Sequence, residues 1–329
     1  MTEPLVTIIE AGSFASIQDG GRFGYRHLGV PQCGVMDRAA FATLNHNLGN
    51  PLSRAAIELG PCSLTLSVNA PVTLSYQGSC HRLIHRRSNT SASKTLIPSS
   101  RITLDQGDTL ELRYQGGSLY GYLGVRGRFA LPKVLGSYCT DIQNGFGGFE
   151  GRTLKPGDQI PLTHTNLLDE CTQGATRHYR PKPISRCRVI VNEPRLWPLL
   201  AKGQLTLLPQ LSRMGLKLGL SKLHQSGLAL AADEGERETK LSQLSQMLGR
   251  AASIPIFPGA IQLPPDGNPV ILMRDCQTSG GYPVIGYVIE RDLNPLCQLL
   301  PGSVIELHPI ETATANALWS TNHVDWQPQ

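Results

Sequence analysis

Short runs in which apolar and polar residues alternate recur along the chain. Clear examples are Leu64-Thr-Leu-Ser-Val68, Val72-Thr-Leu-Ser-Tyr76 and Leu110-Glu-Leu-Arg-Tyr114. Successive side chains of a strand point to opposite faces, so this alternation predicts half-buried β-strands. Turn sequences rich in Gly and Pro separate the runs at close intervals, which is typical of a β-barrel or sandwich. Further runs cover residues 119–125, 188–191, 270–273, 284–289 and 304–307.

Helical periodicity is rare in this chain. Asp37 is a good N-cap, and Phe41, Leu44 and Leu48 follow at helical spacing before a stop at Gly49-Asn50-Pro51. We therefore predict a helix here, with Asp37 as its cap rather than as a catalytic group. Two further helices are predicted over residues 234–248 and 311–319. The predicted fold class is mainly β with a few short helices.

The length of 329 residues is sufficient for two domains, each with its own core. Residues 161–183 are polar, contain Thr and Pro and lack clear periodicity, so they form the candidate linker. We accordingly predict two β-rich domains, residues 1–180 and residues 181–329.

Charge and cysteine usage exclude several classes of protein. The net charge of +5 is dispersed, and the tightest basic run, residues 81–87, lacks the interleaved aromatic residues of a nucleic-acid platform. We interpret that run as a solvated hairpin or loop. We expect neither a signal peptide nor a membrane-spanning helix, because the apolar runs are too short for either. The eight cysteines form no C-x-x-C pair, so we expect buried thiols in a reducing cytoplasm.

Three motifs suggest familiar chemistry but are better explained structurally. The run Gly145-Phe-Gly-Gly-Phe-Glu-Gly151 lacks the third Rossmann glycine, where Glu150 stands, so we predict tight turns there. His81 and His85 have the spacing of a helical metal site, but their surroundings resemble a strand or hairpin and offer no third ligand. Ser137 lies outside any G-x-S-x-G motif, and we expect it to cap its own turn.

The segment from Gln18 to Asn50 concentrates polar side chains and glycines around one helical pattern. Asp19 and Arg22 are close enough to pair, and the sequence leaves open whether that pair is structural or contacts a ligand. Glu58 interrupts an apolar run, and a buried carboxylate needs a partner, for which Arg22 and Arg213 are candidates.

A second polar segment, Arg274-Asp-Cys-Gln-Thr-Ser-Gly-Gly-Tyr-Pro283, lies near the other end of the chain. A strand here runs into a glycine-rich loop, as at the rim of a barrel where binding sites commonly lie. Arg213 likewise stands beside a glycine at the end of a predicted strand. Tyr282 is equally compatible with packing and with ligand contact.

Together these segments resemble one known family. The resemblance is carried in order by Gln18-Asp-Gly-Gly-Arg22, Gly34-Val-Met-Asp37, Asn45, Gly49-Asn50, Ile57-Glu58, Leu135-Gly-Ser137, Gly147-Gly148, Arg213-Met-Gly215, Pro258-Gly-Ala-Ile-Gln262, Asp275 and Thr278-Ser-Gly-Gly-Tyr-Pro283. The chain is similar to the biotin-dependent carboxyltransferase family, which includes allophanate hydrolase subunit 2, KipA and the C subunit of bacterial 5-oxoprolinase.

The resemblance implies two tandem cyclophilin-like β-barrel domains and a KipI-like (allophanate hydrolase subunit 1) partner. For stand-alone bacterial members it implies ATP-dependent opening of 5-oxoproline to glutamate with a third, LamB/YcsF-like subunit, and so ATP with Mg²⁺ in the assembled complex. For fused members it implies carboxyl transfer from carboxybiotin to urea. This chain has no biotinyl-lysine context, so we expect no covalent biotin on it. Two alternatives stay open. One is a KipA-like regulatory protein that binds a KipI-type histidine kinase inhibitor, and the other is a carboxyltransferase or allophanate-hydrolase-type subunit of urea metabolism.

Three local departures from the family pattern stand out. Ser212 replaces the usual Asn or Asp before Arg-Met-Gly, Arg126-Gly-Arg128 replaces a small residue and Gly-Gly, and Asn192-Glu-Pro194 replaces a Gly-Pro phrase.

The implied chemistry assigns roles to particular residues. Arg22 and Arg213 are candidates for anion binding, and Glu58 and Asp275 for orienting an arginine or accepting a proton. We expect one wall of a cleft from the first segment, the opposite wall from the second, and a partner protein that closes it. The predicted catalytic residues are Glu58, Arg213 and Asp275, and the predicted substrate-binding residues are Gln18, Asp19, Arg22, Asn45, Gln262, Gln277, Thr278, Gly280, Gly281 and Tyr282.

Overall fold

The computed structural model describes residues 3–90, 93–163, 176–180, 182, 184–195, 197–201, 204–220, 239, 242–243, 246 and 252–320. The chain divides into two compact units. Described residues up to Phe23, and from Gln32 to residue 180, belong to the first unit. The second unit contains the described residues from 182 to 320 and also the short segment Gly24–Pro31, which lies far earlier in the sequence.

The first unit is built from two antiparallel sheets. Its strands are β1 (Leu5–Ala11), β2 (Ala15–Gln18), β3 (Ala56–Leu59), β4 (Leu64–Val68), β5 (Val72–Gln77), β6 (His81–Arg86), β7 (Ser93–Leu96), β8 (Arg101–Leu104), β9 (Thr109–Tyr114), β10 (Gly121–Val125), β11 (Arg128–Phe129) and β12 (Gln159–Thr163). One sheet has the order β11-β12-β1-β4-β9-β6-β7 and the other the order β2-β3-β10-β5-β8. The inward positions of both sheets supply one apolar core, which includes Ile8, Ile57, Leu66, Leu74 and Leu112.

Helix α1 (Arg38–Leu48) begins and ends where the sequence predicts. The Asp37 carboxylate accepts hydrogen bonds from the backbone N–H groups of Ala39 and Ala40, so it is the N-cap. Gly49 ends the helix in the left-handed conformation that suits glycine. Apolar residues of the helix pack against Ala56 and Tyr122, which fixes α1 on the smaller sheet.

The second unit contains a closed barrel of seven strands in the order β13-β20-β17-β18-β15-β14-β21. Beside it lies a two-stranded sheet formed by β16 and β19. The strands are β13 (Arg186–Val191), β14 (Leu205–Leu211), β15 (Gly215–Leu220), β16 (Ile254–Pro255), β17 (Ala260–Gln262), β18 (Val270–Leu272), β19 (Ser279–Gly280), β20 (Val284–Val288) and β21 (Val304–Pro309). The helices are α2 (Trp197–Ala201), α3 (Glu290–Leu296) and α4 (Thr312–Ser320), and Arg26–Leu28 forms one 3-10 turn.

The predicted fold class, mainly β with a few short helices, is confirmed. The predicted helix at 311–319 is α4, whereas most of the predicted helix at 234–248 lies outside the described residues. Of the candidate linker, residues 164–175, 181 and 183 also lie outside them. Within the described part of the chain, no helix is long and apolar enough to cross a bilayer.

The hairpin interpretation of residues 81–87 is confirmed, because residues 81–86 form β6, which pairs antiparallel with β7, the next strand along the chain. Arg86 and Arg87 are exposed, as expected of a solvated run, but His81 is buried. The imidazole Nε2 of His81 donates to the Cys62 carbonyl oxygen at 2.8 Å, and its Nδ1 accepts from the Tyr76 hydroxyl at 2.8 Å. Burial lowers the pKa of His81. The neutral imidazole of His81 is therefore part of the packed interior of the first unit.

Candidate functional site

Asp19 lies directly after β2 and is held by three hydrogen bonds. Its carboxylate accepts from the Ser137 hydroxyl at 2.7 Å, from the Tyr138 N–H at 2.7 Å and from the Gly21 N–H at 2.9 Å. Burial raises the pKa of Asp19 although these hydrogen bonds oppose the rise. The Ser137 hydroxyl also accepts from the Cys139 N–H at 3.0 Å, so Ser137 caps its own turn as predicted.

Arg22 is fully buried and points away from solvent. Its Nε donates to the Val134 carbonyl oxygen at 3.1 Å, its Nη2 to that of Cys139 at 2.9 Å, and its guanidinium lies 4.6 Å from the centre of the Phe146 ring. Nη1 has no hydrogen-bond partner among the described residues. Asp19 and Arg22 therefore do not bond each other, and the contacts of Arg22 tie two loops together.

Glu58 on β3 is also buried, and its carboxylate makes structural contacts. One carboxylate oxygen accepts from the Met36 N–H at 2.7 Å and from the Tyr122 hydroxyl at 2.9 Å. The same hydroxyl accepts from the Asp37 N–H at 2.7 Å. The suggested pairing of Glu58 with Arg22 is wrong, because Arg22 bonds backbone carbonyls instead. Glu58 secures the chain that leads into α1.

Gln18 and Asn45 are buried residues that organise loops. Gln18 Nε2 donates to the Ser16 hydroxyl at 3.1 Å and to the Thr140 carbonyl oxygen at 3.2 Å. Asn45 Nδ2 donates to the carbonyl oxygens of Leu52 and Arg54 at 3.1 and 2.8 Å. Asn45 thereby fixes the loop after α1, including the backbone of Arg54.

A cavity of about 220 Å³ opens in the first unit beside Asp19. Three basic side chains line it, those of Arg54, Arg128 and Lys133, together with the ring of Tyr138. Among the described residues, no carboxylate forms an ion pair with any of the three. The Lys133 ammonium lies 5.4 Å from the centre of the Tyr138 ring. Of the predicted site residues, the structure brings Asp19 to this cavity, which is electropositive.

A second cluster lies in the second unit, where Arg213 and Asp275 form a bidentate ion pair. Arg213 Nε and Nη2 donate to the two Asp275 oxygens at 2.7 and 2.8 Å, and the Asp275 N–H donates to the Arg213 carbonyl oxygen at 2.9 Å. The Ser212 hydroxyl accepts from the N–H groups of Met214 and Gly215. Ser212 can therefore hold this turn as the Asn or Asp of the family pattern would.

Two side-chain amides lie beside Gly280 in the same unit, and Arg26 bonds the neighbouring backbone. A Cβ at Gly280 would lie 2.7 Å from Gln262 Nε2 and 3.6 Å from Gln277 Nε2, so a larger residue would displace the Gln262 amide. Gln262 is 3% exposed, and its Nε2 has no hydrogen-bond partner among the described residues. Arg26 donates to the carbonyl oxygens of Ile256 and Gln277, while its Nη1 is buried without a described partner. Such donors suit a carbonyl or carboxylate oxygen.

The remaining predicted residues of this segment lie in the loop around β19. Thr278 accepts the Ile256 N–H through its carbonyl oxygen at 3.1 Å, so that contact involves its backbone. Thr278, Gly281 and Tyr282 are half-buried. Over the described residues, no group of three or more His, Cys, Asp or Glu side chains is arranged to hold a metal ion.

The order of motifs along these two units is that of a known domain. Residues 28–309 match the family model of the carboxyltransferase domain, subdomains A and B. This chain belongs to the carboxyltransferase domain family. The resemblance inferred from the motifs is thereby confirmed.

Relatives of this carboxyltransferase-domain protein include two bacterial proteins. It is 31% identical over 324 residues to the C subunit of 5-oxoprolinase from Haemophilus influenzae, covering 97% of this chain and 96% of that protein. It is 30% identical over 322 residues to the C subunit of 5-oxoprolinase from Escherichia coli, covering 95% and 93%. The solved urea carboxylase of Kluyveromyces lactis shares the fold with a TM-score of 0.77 at 21% identity, covering 98% of this chain and 29% of that one.

The sequence pointed to some residues of the two clusters and missed others. Arg54 and Lys133 lie in no recognisable motif, so the sequence did not single them out. Arg26 was missed because its position in the sequence assigns it to the first domain. Arg128 did leave a signal, because it belongs to one of the departures from the carboxyltransferase family pattern.

Proposed function

We propose that this carboxyltransferase-domain protein is a subunit of an ATP-dependent 5-oxoprolinase, acting with a KipI-like and a LamB/YcsF-like subunit. The proposed reaction converts 5-oxo-L-proline, ATP and water to L-glutamate, ADP and phosphate. The observation that supports the proposal is that the alignments cover nearly all of this chain and nearly all of each relative. The chain and the two bacterial 5-oxoprolinase C subunits align along nearly their whole lengths, so the similarity extends well beyond a single shared motif or domain.

The chemistry of lactam opening fits the donor groups of the second unit. Phosphoryl transfer from ATP to the lactam oxygen releases ADP and makes the ring carbon electrophilic. One water then adds and the carbon–nitrogen bond breaks, which gives an acyl phosphate; a second water hydrolyses the acyl phosphate to glutamate and phosphate. A site for this reaction needs donors for the lactam oxygen and a cation for a carboxylate or phosphate. Gln262 offers a buried amide N–H group without a described partner, and Arg213 offers a cation oriented by Asp275. Glu58 is left out of the chemistry because its carboxylate secures the start of α1.

The test is reconstitution of the complex from the three subunits. We expect glutamate formation that requires both 5-oxoproline and ATP and is lost when this chain is omitted. Arg213→Ala should lower turnover at least about 100-fold, the usual effect of removing a charged transition-state contact, while Arg213→Lys should retain part of it. Arg186→Ala, which removes an exposed arginine of the same unit, is the matched control. Circular dichroism and thermal melting of each variant verify folding.

The outcomes separate the competing functions. Full activity of a folded Arg213→Ala complex would remove Arg213 from the mechanism. Tight binding of the KipI-like subunit without any glutamate formation would support the KipA-like regulatory alternative. Carboxybiotin-dependent carboxylation of urea, measured with a separate biotin carrier protein, would support the urea-metabolism alternative.

A further inference from the structure

The basic cavity of the first unit has no role in the proposed chemistry. Its three cations come from different parts of the chain: Arg54 from the loop after α1, Arg128 from β11 and Lys133 from the loop that follows. Like charges held around one cavity repel one another, so the arrangement costs free energy unless a counter-charge is present. Within the described residues, Asp19 is the only acidic group that lines the cavity.

Asp19 does not neutralise these cations. Its two oxygens already accept three hydrogen bonds, from Ser137, Tyr138 and Gly21. Asp19 can offset at most one of the three positive charges. The excess positive charge of the cavity therefore has no internal counterpart in the described chain.

Two hydrogen bonds hold the backbone of Arg54 at the edge of the cavity. Its N–H donates to the Pro51 carbonyl oxygen at 2.9 Å, and its carbonyl oxygen accepts from Asn45 Nδ2 at 2.8 Å. Its Nε is buried and has no hydrogen-bond partner among the described residues. Burial lowers the pKa of Arg54; Tyr138 opposes that shift and the nearby charge of Arg128 adds to it. A half-buried guanidinium whose Nε has no described partner is suited to an anion with several acceptor oxygens.

We propose that this cavity is a phosphate-binding site, in which Arg54, Arg128 and Lys133 contact the oxygens of one phosphate group. A phosphate carries about −1.5 to −2 charges at neutral pH and three strong acceptor oxygens, which matches two guanidinium groups and an ammonium better than a single carboxylate does. The phosphate belongs either to a nucleotide or to inorganic phosphate, since both present the same group. The inference goes beyond the proposed function because it assigns a ligand to the first unit.

Binding is measured on the full chain alone, by isothermal titration calorimetry and thermal melting at low ionic strength. The probes are inorganic phosphate, ATP and, as monoanions, acetate and 5-oxoproline. We expect phosphate or ATP to bind and raise the melting temperature, with affinity that falls as salt is added. Arg54→Gln and Arg128→Gln should each weaken binding about tenfold, as removal of one charge-assisted contact does.

Arg87→Gln is the matched control, because Arg87 is an exposed arginine of the same unit and does not line the cavity. Its affinity for phosphate should equal that of the unsubstituted chain. Tighter binding of ATP than of inorganic phosphate identifies a nucleotide as the source, and equal binding identifies inorganic phosphate. The proposal is overturned if neither probe binds, if acetate and 5-oxoproline bind equally well, or if Arg87→Gln loses as much affinity as Arg54→Gln. These measurements need no partner protein, so failure of the reconstituted enzyme leaves them unaffected.

Discussion

Asp19 and Arg22 carry opposite charges three positions apart, yet the side chain of each bonds residues more than 100 positions further along the chain. Asp19 bonds the turn at Ser137, and Arg22 bonds the carbonyl oxygens of Val134 and Cys139. Buried charges are stable only when their hydrogen-bonding capacity is used. Both residues therefore hold the loop at 134–139 in place. Part of that loop lines the basic cavity.

Asp108 shows the same principle in a form that pH can test. It accepts from the Ser88 N–H at 2.9 Å, from His85 Nε2 at 2.7 Å and from the Asp105 N–H at 3.2 Å. Burial alone would raise its pKa, but these hydrogen bonds lower the pKa of Asp108 below its ordinary value of 3.8. A lowered pKa in the folded state adds stability above about pH 4, which is lost as pH falls through the folded-state pKa.

We predict that Asp108→Asn lowers the free energy of unfolding by about 2 kcal/mol at neutral pH, the cost of weakening bonds to a buried charge. The difference from the unsubstituted chain should shrink as pH falls below 3.8. Urea unfolding at several pH values measures it, with the exposed Glu3→Gln as control. A constant difference down to acid pH would contradict the explanation.

At the scale of elements, one ion pair fastens helix α3 to the barrel. The Asp292 carboxylate on α3 accepts from the backbone N–H of Arg188 at 2.8 Å, from its Nε at 3.0 Å and from its Nη2. Asp292 is buried, and Arg188 lies on β13. Two positions earlier on the same strand, Arg186 pairs with Glu306 at the surface, at 3.4 Å.

This contrast predicts different effects for two similar substitutions. Arg188→Ala should lower the free energy of unfolding by about 3 kcal/mol, because it leaves a buried carboxylate without its cation. Arg186→Ala should change it by less than about 0.5 kcal/mol, as is usual for exposed pairs. Chemical denaturation of both variants measures the difference, and equal effects would show that burial of Asp292 does not set the stability of this contact.

Residues close together in sequence predicted the helices and strands well. They could not predict contacts between residues far apart in the sequence. The cap at Asp37 and the stop at Gly49 depend on neighbours within a few residues, so the sequence predicted α1 correctly. The partners of Glu58 are 22 and 64 positions away, and the single sequence offered no means of selecting Met36 and Tyr122 over an arginine. Arg54 was missed for the same reason, since only folding brings it close to Arg128.

At the scale of the whole molecule, the described cysteines form no disulfide and are all buried. Burial raises the pKa of Cys62 and Cys80, that of Cys187 to about 12 and that of Cys276 to about 11. The thiolate is the reactive form, so these thiols should be inert in the folded protein.

We predict that a thiol reagent modifies at most one of the eight cysteines rapidly in native protein and all eight in denaturant. Cys171 is the cysteine outside the described residues. Reaction of the other seven should be limited by opening of the structure. Absorbance of the released thiolate and peptide mass mapping follow the reaction. Rapid native labelling of Cys187 or Cys276 would contradict the burial of these thiols.

The early segment Gly24–Pro31 belongs to the second unit, and this has a consequence for the order of assembly during synthesis. Arg26 bonds the carbonyl oxygens of Ile256 and Gln277, which are 230 and 251 positions later. A growing chain emerges from the ribosome amino terminus first, so these eight residues are made long before the residues that Arg26 bonds. The second unit is complete only when its later residues contact the segment 24–31, which closes a loop of more than 200 residues. Closing so large a loop is a slow step in folding. Separate expression of residues 182–329 would omit Arg26 altogether.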